Sequence, residues 1–342
     1  MGTLSIWRNF IYNGNNRLIV WDQDRERKGN FMGNLTAQQV MEVKGKGFLR
    51  NRGTDLFSGR LVAPGTVFTA QNMEDIAHIA RTMGNGKVLP TSRLTVEIPG
   101  IPYERIPEAM DYAQAHGMRF GGTGAKIRPV AACKGTTCVY GNFDTQEMAR
   151  KIHEAYYLGW TDVALPHKFK ITVGGCPNSC MKPSLNDFGV EGHRAPRYSP
   201  EACRGCKVCG VENSCPMKCA AVQDGKLEIN QSVCNKCGVC LGKCPFHAVE
   251  WESPVEYQLF FGGTWGKRAR LGNQLPHFVG EEEVVPYLEK SILWFKENAY
   301  QKERFGLALE RIGFERFLKE IQGDDLLRRK DEILAAPIKT RS

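Results

Sequence analysis

An α+β fold is what the sequence predicts, on three observations. From residue 69 to 117 the apolar pattern alternates between helical and strand spacing, which signals mixed layers rather than an all-helical or all-β domain. From 198 to 252 that pattern gives way to cysteines at short, regular intervals. After this block, "KERFGLALERIGFERFLKEI" (302–321) reads as a helical tail. A chain of 342 residues can hold two or three such units around sizeable cores.

Residues 1–50 match no pattern and are left without a role. In "TAQNMEDIAHIARTMG" (69–84), Met73, Ile76, Ile79, Ala80 and Met83 fall at helical spacing, and Gly84 suits the stop. Leu94, Val96 and Ile98 alternate as a strand, and "YERIPEAMDYAQAHG" (103–117) is a second helix closed by Gly117. In "KFKITV" (168–173), Phe169, Ile171 and Val173 alternate with Lys168, Lys170 and Thr172. Strand side chains have period two, so the lysines share one face and the apolar residues pack on the other. A solvated edge strand carries the same pattern. This one, however, runs straight into "GGCPNSC" (174–180). Cations beside a redox centre suit an anionic substrate.

Composition narrows the class. Hydrophobic content of 42% and charged content of 24% are ordinary for a globular protein. The net charge of +9 favours anionic partners, but no Lys/Arg-rich block or recognition motif points to nucleic acid. The first twenty residues lack the apolar run of a signal peptide, and no segment has the length of a membrane span, so a cytoplasmic protein is expected.

All thirteen cysteines lie between 133 and 244. In a reducing compartment they are ligands rather than disulfides. "CRGCKVCGVENSCP" places Cys203, Cys206 and Cys209 at two-residue intervals, with Cys215 before Pro216. "CNKCGVCLGKCP" repeats the order with Cys234, Cys237, Cys240 and Cys244 before Pro245. The second copy has the spacing of bacterial two-cluster ferredoxins, in which three thiolates hold one cube and the fourth comes from the other repeat. One [4Fe-4S] cluster is therefore assigned to Cys203, Cys206, Cys209 and Cys244, the other to Cys234, Cys237, Cys240 and Cys215. Five residues, not three, precede the first Cys-Pro, so Cys219 competes with Cys215 for that place. Structural zinc sites more often pair two CxxC knuckles than use this triple spacing. Cys133 and Cys138 in "ACKGTTC" and Cys176 and Cys180 in "GCPNSC" supply four further thiolates, enough for a third cluster.

Pro166, Lys168 and Lys170 followed by "GCPNSC", with "RPVAACKGTTC" upstream, resemble the sirohaem-dependent sulfite and nitrite reductases over about residues 54–320. The resemblance is strongest to the sirohaem subunit of anaerobic sulfite reductase, where a ferredoxin insert follows the same loop. It implies a half-unit of the sulfite-reductase fold: a ferredoxin-like α/β domain (51–125), a sirohaem and [4Fe-4S] domain (126–197 and 253–342) and a two-cluster ferredoxin insert (198–252). It further implies that Cys133, Cys138, Cys176 and Cys180 hold a [4Fe-4S] cluster, with Cys180 bridging to the sirohaem iron. Arg60, Arg128, Lys168 and Lys170 take the positions of the family's anion-binding cations. Arg93, and Arg268 and Arg270 in "GGTWGKRARLG" (262–272), take those of residues facing sirohaem carboxylates. This chain has four residues between Cys133 and Cys138, where many members have five.

The implied activity is six-electron reduction of sulfite to sulfide, fed through the insert clusters by an electron-donor protein. Nitrite enzymes of the family usually carry asparagine where this chain has Lys170, so nitrite is the second reading, and an electron-transfer subunit with an inactive sirohaem site is the third. In larger members, which contain the unit twice, the cations of one copy face the cysteines of the other. A single-copy chain is thus expected to form a homodimer with shared sites.

Overall fold

The computed structural model describes residues 35–251 and 254–341, together with the backbone of a two-stranded hairpin, Ile11–Tyr12 with Leu18–Ile19. Most of the 1–50 segment lies outside these residues, as do positions 252, 253 and 342. No described helix is long and apolar enough to cross a membrane.

The first layer is an antiparallel sheet of Phe48–Arg50, Leu56–Val62, Val96–Pro102 and Leu89–Pro90, with Arg119–Phe120 added beside Leu56–Val62. The helices Ala37–Gly45, Ala70–Thr82 and Ile106–Ala115 accompany it. The helix at 70 starts where the sequence says it should. Thr69 accepts from the Asn72 N–H, and the Asn72 side chain accepts from the Thr69 N–H in return, a reciprocal cap that satisfies two orphan donors. Ile76, Ile79, Ala80 and Met83 are buried, but Met73 is 48% exposed and belongs to the solvent face. Leu94 also departs from expectation. It has φ +57 in a turn closed by Thr91 and Thr95, so the strand begins only at Val96. The turn carries Arg93 at its tip.

The second layer is a mixed sheet in the order Asn273–Gln274, Glu256–Phe261, Phe188–His193, Ile171–Gly174 and Ala131–Ala132. The last three run parallel to one another, while Glu256–Phe261 is antiparallel to both of its neighbours. Ile171–Gly174 therefore has a neighbour on both sides, which excludes the edge-strand reading of "KFKITV". Ile171 and Val173 are fully buried, as is Phe169, and together with Phe188, Phe261, Trp294, Phe295, Phe305 and Phe317 they belong to one core. The tail folds as expected into helices, except that Gly313, at φ +102, splits "KERFGLALERIGFERFLKEI" into Phe305–Ile312 and Phe314–Gln322.

His193 pairs with Glu256 across two adjacent strands, yet 62 residues separate them in sequence. The intervening chain forms a small separate unit. Its two ends pair as antiparallel strands, Pro196–Tyr198 with Val249–Trp251, and between them lie the short helix Gly210–Ser214 and the hairpin Ala220–Gln223 with Lys226–Ile229. Its buried core consists of Val211, Ala220, Leu227 and Val249 with the two cysteines Cys215 and Cys219.

Candidate functional site

A cleft of about 300 Å³ is lined by Arg60, Arg93, Arg128, Lys168 and Lys170, so five cations singled out in the sequence share one cavity. Arg60 projects from the strand Leu56–Val62 and Arg93 from the Thr91–Thr95 turn. Arg128, Lys168 and Lys170 sit at the N-terminal end of the parallel pair, where Arg128 N–H bonds Phe169 O at 2.8 Å.

Most of these side chains are held by the protein. Arg60 donates to Glu97 Oε1 from Nε (2.9 Å) and Nη2 (2.5 Å), and from Nη1 to Gly122 O (2.7 Å). The Arg128 guanidinium donates to the same Gly122 carbonyl. Gly122 has φ +72, and a Cβ there would lie 3.1 Å from Pro129 Cγ and 3.2 Å from Arg60 Cδ. Only glycine fits that backbone comfortably. Arg93 reaches across to the second sheet and donates to Pro129 O (2.8 Å), Ile171 O (2.9 Å) and Asn186 Oδ1 (2.9 Å). Asp187, fully buried, accepts from Arg304 Nη2 at 3.0 and 2.9 Å and from the Lys170 N–H at 2.9 Å.

The charges do not balance. Around the cleft Glu97 and Asp187 face Arg60, Arg93, Arg128, Lys168, Lys170 and Arg304. Burial, then repulsion from Arg93 and Arg304, pushes Lys170 down to about 8. Burial, then Arg304 and Arg128, also lowers Lys168. Arg93 and Arg128 fall to about 10, chiefly through burial, and each leaves its Nε buried without a partner. His167, whose Nδ1 accepts from the Lys168 N–H at 2.7 Å, is driven to about 4 by burial and then by Arg304. Crowded, partly desolvated cations of this kind are relieved by an anion. Gly122, Glu97, Asp187 and Arg304 are parts of the site that sequence reasoning missed. The run "GGTG" (121–124) was the one available hint, since repeated glycines often mark a close backbone approach.

At the other end of the same strands lie the cysteines. Cys133 follows Ala131–Ala132 and Cys176 follows Ile171–Gly174. The Gly175 N–H donates to Cys133 Sγ at 3.2 Å, and Thr145 Oγ1 donates to Cys133 O at 2.7 Å. Gly141 closes the loop so tightly that a Cβ would meet Gly135 O at 1.9 Å. Cys133, Cys138 and Cys176 are half-buried and Cys180 is exposed. Burial raises the Cys176 thiol, and Cys133, Cys180 and Cys138 lie close enough to raise it further. This donor set fits an iron–sulfur cube. No three His, Cys, Asp or Glu side chains among the described residues converge on a single-ion position, but a cube, whose irons each take one thiolate, asks for a wider set.

In the insert, Cys215, Cys219, Cys234, Cys237 and Cys240 surround one small cavity. Cys215 and Cys219 are both buried, their sulfurs 3.5 Å apart. Burial works against the Cys215 thiolate, but the N–H groups of Cys219, Ala220 and Met217 and the Cys219 thiol outweigh it and hold Cys215 below the ordinary thiol value. Burial, then Cys215 and Cys234, drives Cys219 up to about 12. In the first repeat, a Cβ on Gly210 would lie 2.5 Å from Lys243 O, so the chain next to Cys209 touches the chain next to Cys244. Burial works against the Cys203 thiolate, but the N–H groups of Gly205 and Leu227 outweigh it and hold Cys203 below the ordinary thiol value, while Cys206 is half-buried.

The loop 262–272 packs against Ser184 and Asn186, at the cation end of the sheet. Its arginines do not line the cleft. Arg270 is engaged by Glu310 (2.8 Å), Gly262 O (3.0 Å) and Asn273 (2.5 Å), whereas Arg268 is exposed.

Two family models match the chain. Residues 123–329 match the nitrite and sulphite reductase 4Fe-4S domain, and residues 50–116 the nitrite/sulfite reductase ferredoxin-like half domain. The coenzyme F420-dependent sulfite reductase of Methanocaldococcus jannaschii is 28% identical over 262 residues, 76% of this chain and 41% of that protein. One subunit of the anaerobic sulfite reductase of Salmonella typhimurium is 27% identical over 293 residues, 79% of this chain and 84% of that one. The crystal structure of dissimilatory sulfite reductase I superposes with a TM-score of 0.65 at 23% identity, covering 78% of this chain and 69% of that one, and so shares the fold. The first of the two family models spans more than half of the chain, the ferredoxin-like half domain precedes it in the same chain, and this chain belongs to the nitrite and sulphite reductase family.

Proposed function

We propose that this chain is the sirohaem-bearing catalytic unit of an anaerobic sulfite reductase and reduces sulfite to sulfide with six electrons. The observation that carries this reading is the convergence of Arg60, Arg128, Lys168 and Lys170 on one cleft with a shortage of counter-charge. Sirohaem and a [4Fe-4S] cluster on Cys133, Cys138, Cys176 and Cys180 supply the electron-transfer chemistry. The protein supplies charge, orientation and protons. Arg60 and Arg128, with planar forked donors aimed by Gly122 O, grip two oxygens of the anion. Lys168 and Lys170 are compact cations. Lys170 Nζ, at about 8, is poised to give up a proton as oxygen leaves. Arg93, Arg268 and Arg270 are assigned to the carboxylates of sirohaem, with Arg93 also tying the two sheets together.

Two further clusters are assigned to the insert, one on Cys203, Cys206, Cys209 and Cys244 and one on Cys234, Cys237, Cys240 and Cys215. The N–H donors around Cys215 favour it over Cys219. Clusters held by these cysteines would take up electrons from a donor protein, which this reading leaves to a ferredoxin or a flavin- or iron–sulfur-containing reductase subunit. A homodimer with shared sites also follows. Lys170 and Cys176 occupy opposite ends of an extended strand, roughly 20 Å apart at six residues' rise, too far for one chain to place both against one substrate.

Anaerobically purified protein should show a sirohaem spectrum, contain about thirteen irons per chain at full loading, and reduce sulfite with reduced viologen as donor. Zinc in an active preparation, or a single cluster, overturns the assignment.

A further inference from the structure

We infer that Tyr157 is a positioning residue for the cation cleft: it tethers the backbone of Gly122, whose carbonyl aims the guanidiniums of Arg60 and Arg128, and the wide helical turn His153–Leu158 exists to bring it there.

The helix Thr145–Ile152 does not simply end. It passes into a π-helical turn, in which the Gly159 N–H bonds to Glu154 O, five residues back, at 3.0 Å. One extra residue in a turn rotates every later side chain by roughly 100° relative to an unbroken helix. Two adjacent tyrosines consequently serve different elements. Tyr156 Oη donates to Glu289 at 2.6 Å, on the helix Glu281–Asn298. Tyr157 Oη accepts from the Gly122 N–H at 2.9 Å.

The Gly121–Gly122 segment is thereby clamped. The Gly121 N–H donates to Arg60 O at 2.9 Å, and a Cβ on Gly121 would meet Tyr157 Oη at 2.2 Å. Glycine has the widest backbone freedom of any residue, so nothing intrinsic to Gly122 holds it at φ +72. The tether does, and it leaves the Gly122 carbonyl facing both guanidiniums. The rare turn is not free for the fold. His153, its ring tilted 44° to that of Tyr157 at 4.6 Å between centroids, keeps a buried Nδ1 without a partner. An unsatisfied buried nitrogen and a π turn both cost stability, and π turns recur at functional sites.

The ligand identity here rests on the reading under Proposed function; the tether itself does not. Holoenzyme carrying Tyr157→Phe is compared with Tyr156→Phe, which also loses one hydroxyl bond from the same turn but has no contact with Gly122. Two quantities are read: kcat and KM for sulfite, and the rates at which phenylglyoxal modifies Arg60 and Arg128, followed residue by residue by mass spectrometry without substrate. Tyr157→Phe should raise KM about tenfold with kcat held within about threefold, and should change both modification rates severalfold. Tyr156→Phe should do neither. Equal behaviour of the two variants, or a fall in kcat at unchanged KM, overturns the positioning role. Changed modification rates confined to Tyr157→Phe, in a protein that never reduces sulfite, would uphold the role and sink the proposed function instead.

Discussion

The two ends of the parallel strands Ala131–Ala132 and Ile171–Gly174 are made differently. At the cation end, protein groups position the side chains: Glu97 and Gly122 O hold Arg60, Asp187 holds Arg304, and Pro129 O and Ile171 O hold Arg93. At the cysteine end, glycine-tight loops present half-buried thiols, and Cys180 is exposed. The insert continues this second manner, with two cysteines among its six buried core residues. The first end is positioned by contacts within the protein, as the proposed anion site requires. On the proposed reading the second would be completed by iron–sulfur clusters, and its folding free energy would then be coupled to their binding.

The largest effect should come from separating the two ends genetically. Lys168→Ala/Lys170→Ala and Cys180→Ser protomers should each be inactive as homodimers. If a site takes its cations from one protomer and its cysteines from the other, verified mixed dimers regain about one intact site of two. Mixed dimers that stay inactive would confine each site to one chain.

On the cysteine side, Cys215→Ser should lose one insert cluster, about four irons per chain, and slow turnover driven by a protein donor. Cys219→Ser should keep its iron. Because the insert has so small an apolar core, Cys215→Ser should also speed proteolysis within 198–251 while the helix Glu281–Asn298 stays protected. The opposite iron analysis would make Cys219 the ligand.

This contrast also explains what the sequence could and could not convey. Cysteine spacing is local, so the repeat at 203–244 and the two pairs could be read directly. The "KFKITV" alternation was legible too, because a strand's period is fixed by its backbone. Whether that strand was internal was not, since pairing is decided by partners such as Phe188–His193, which lie well away in the chain. Asp187, Arg304 and Gly122 escaped for the same reason: each acquires its role only through a contact made by the folded chain, such as Asp187 with Arg304 across 117 residues. Leu94 and Met73 misled because apolar identity was taken for burial, whereas a tight turn and the solvent face of a helix claimed them.

On the cation side, Lys170→Asn should weaken sulfite use more than nitrite use. It removes a positive charge that a dianion needs more than a monoanion does, and a buried charge contact is worth roughly 2–5 kcal/mol. The ratio of kcat/KM values should move toward nitrite by about tenfold or more, ~1.4 kcal/mol being one decade. An unchanged ratio would place Lys170 Nζ outside the reacting region.

The smallest expected effect is a pH limb. Burial, with Arg93 and Arg304 nearby, sets Lys170 at about 8 in the free protein. Below that value Nζ is charged and attracts the anion; above it the ammonium is lost and the attraction with it. Anion binding favours the charged form, so the limb belongs to kcat/KM, which reports the free enzyme, more than to kcat. For sulfite, kcat/KM should therefore decline as pH rises through about 8, by up to about tenfold per unit if one proton is required. Lys170→Arg separates this from titration of the substrate, which is common to both enzymes. A guanidinium stays protonated over the whole range, so the limb should vanish in the variant even if its overall activity is lower. The same limb in both enzymes would assign the titration to the substrate or to another group, and would remove Lys170 as the proton-bearing member of the cleft.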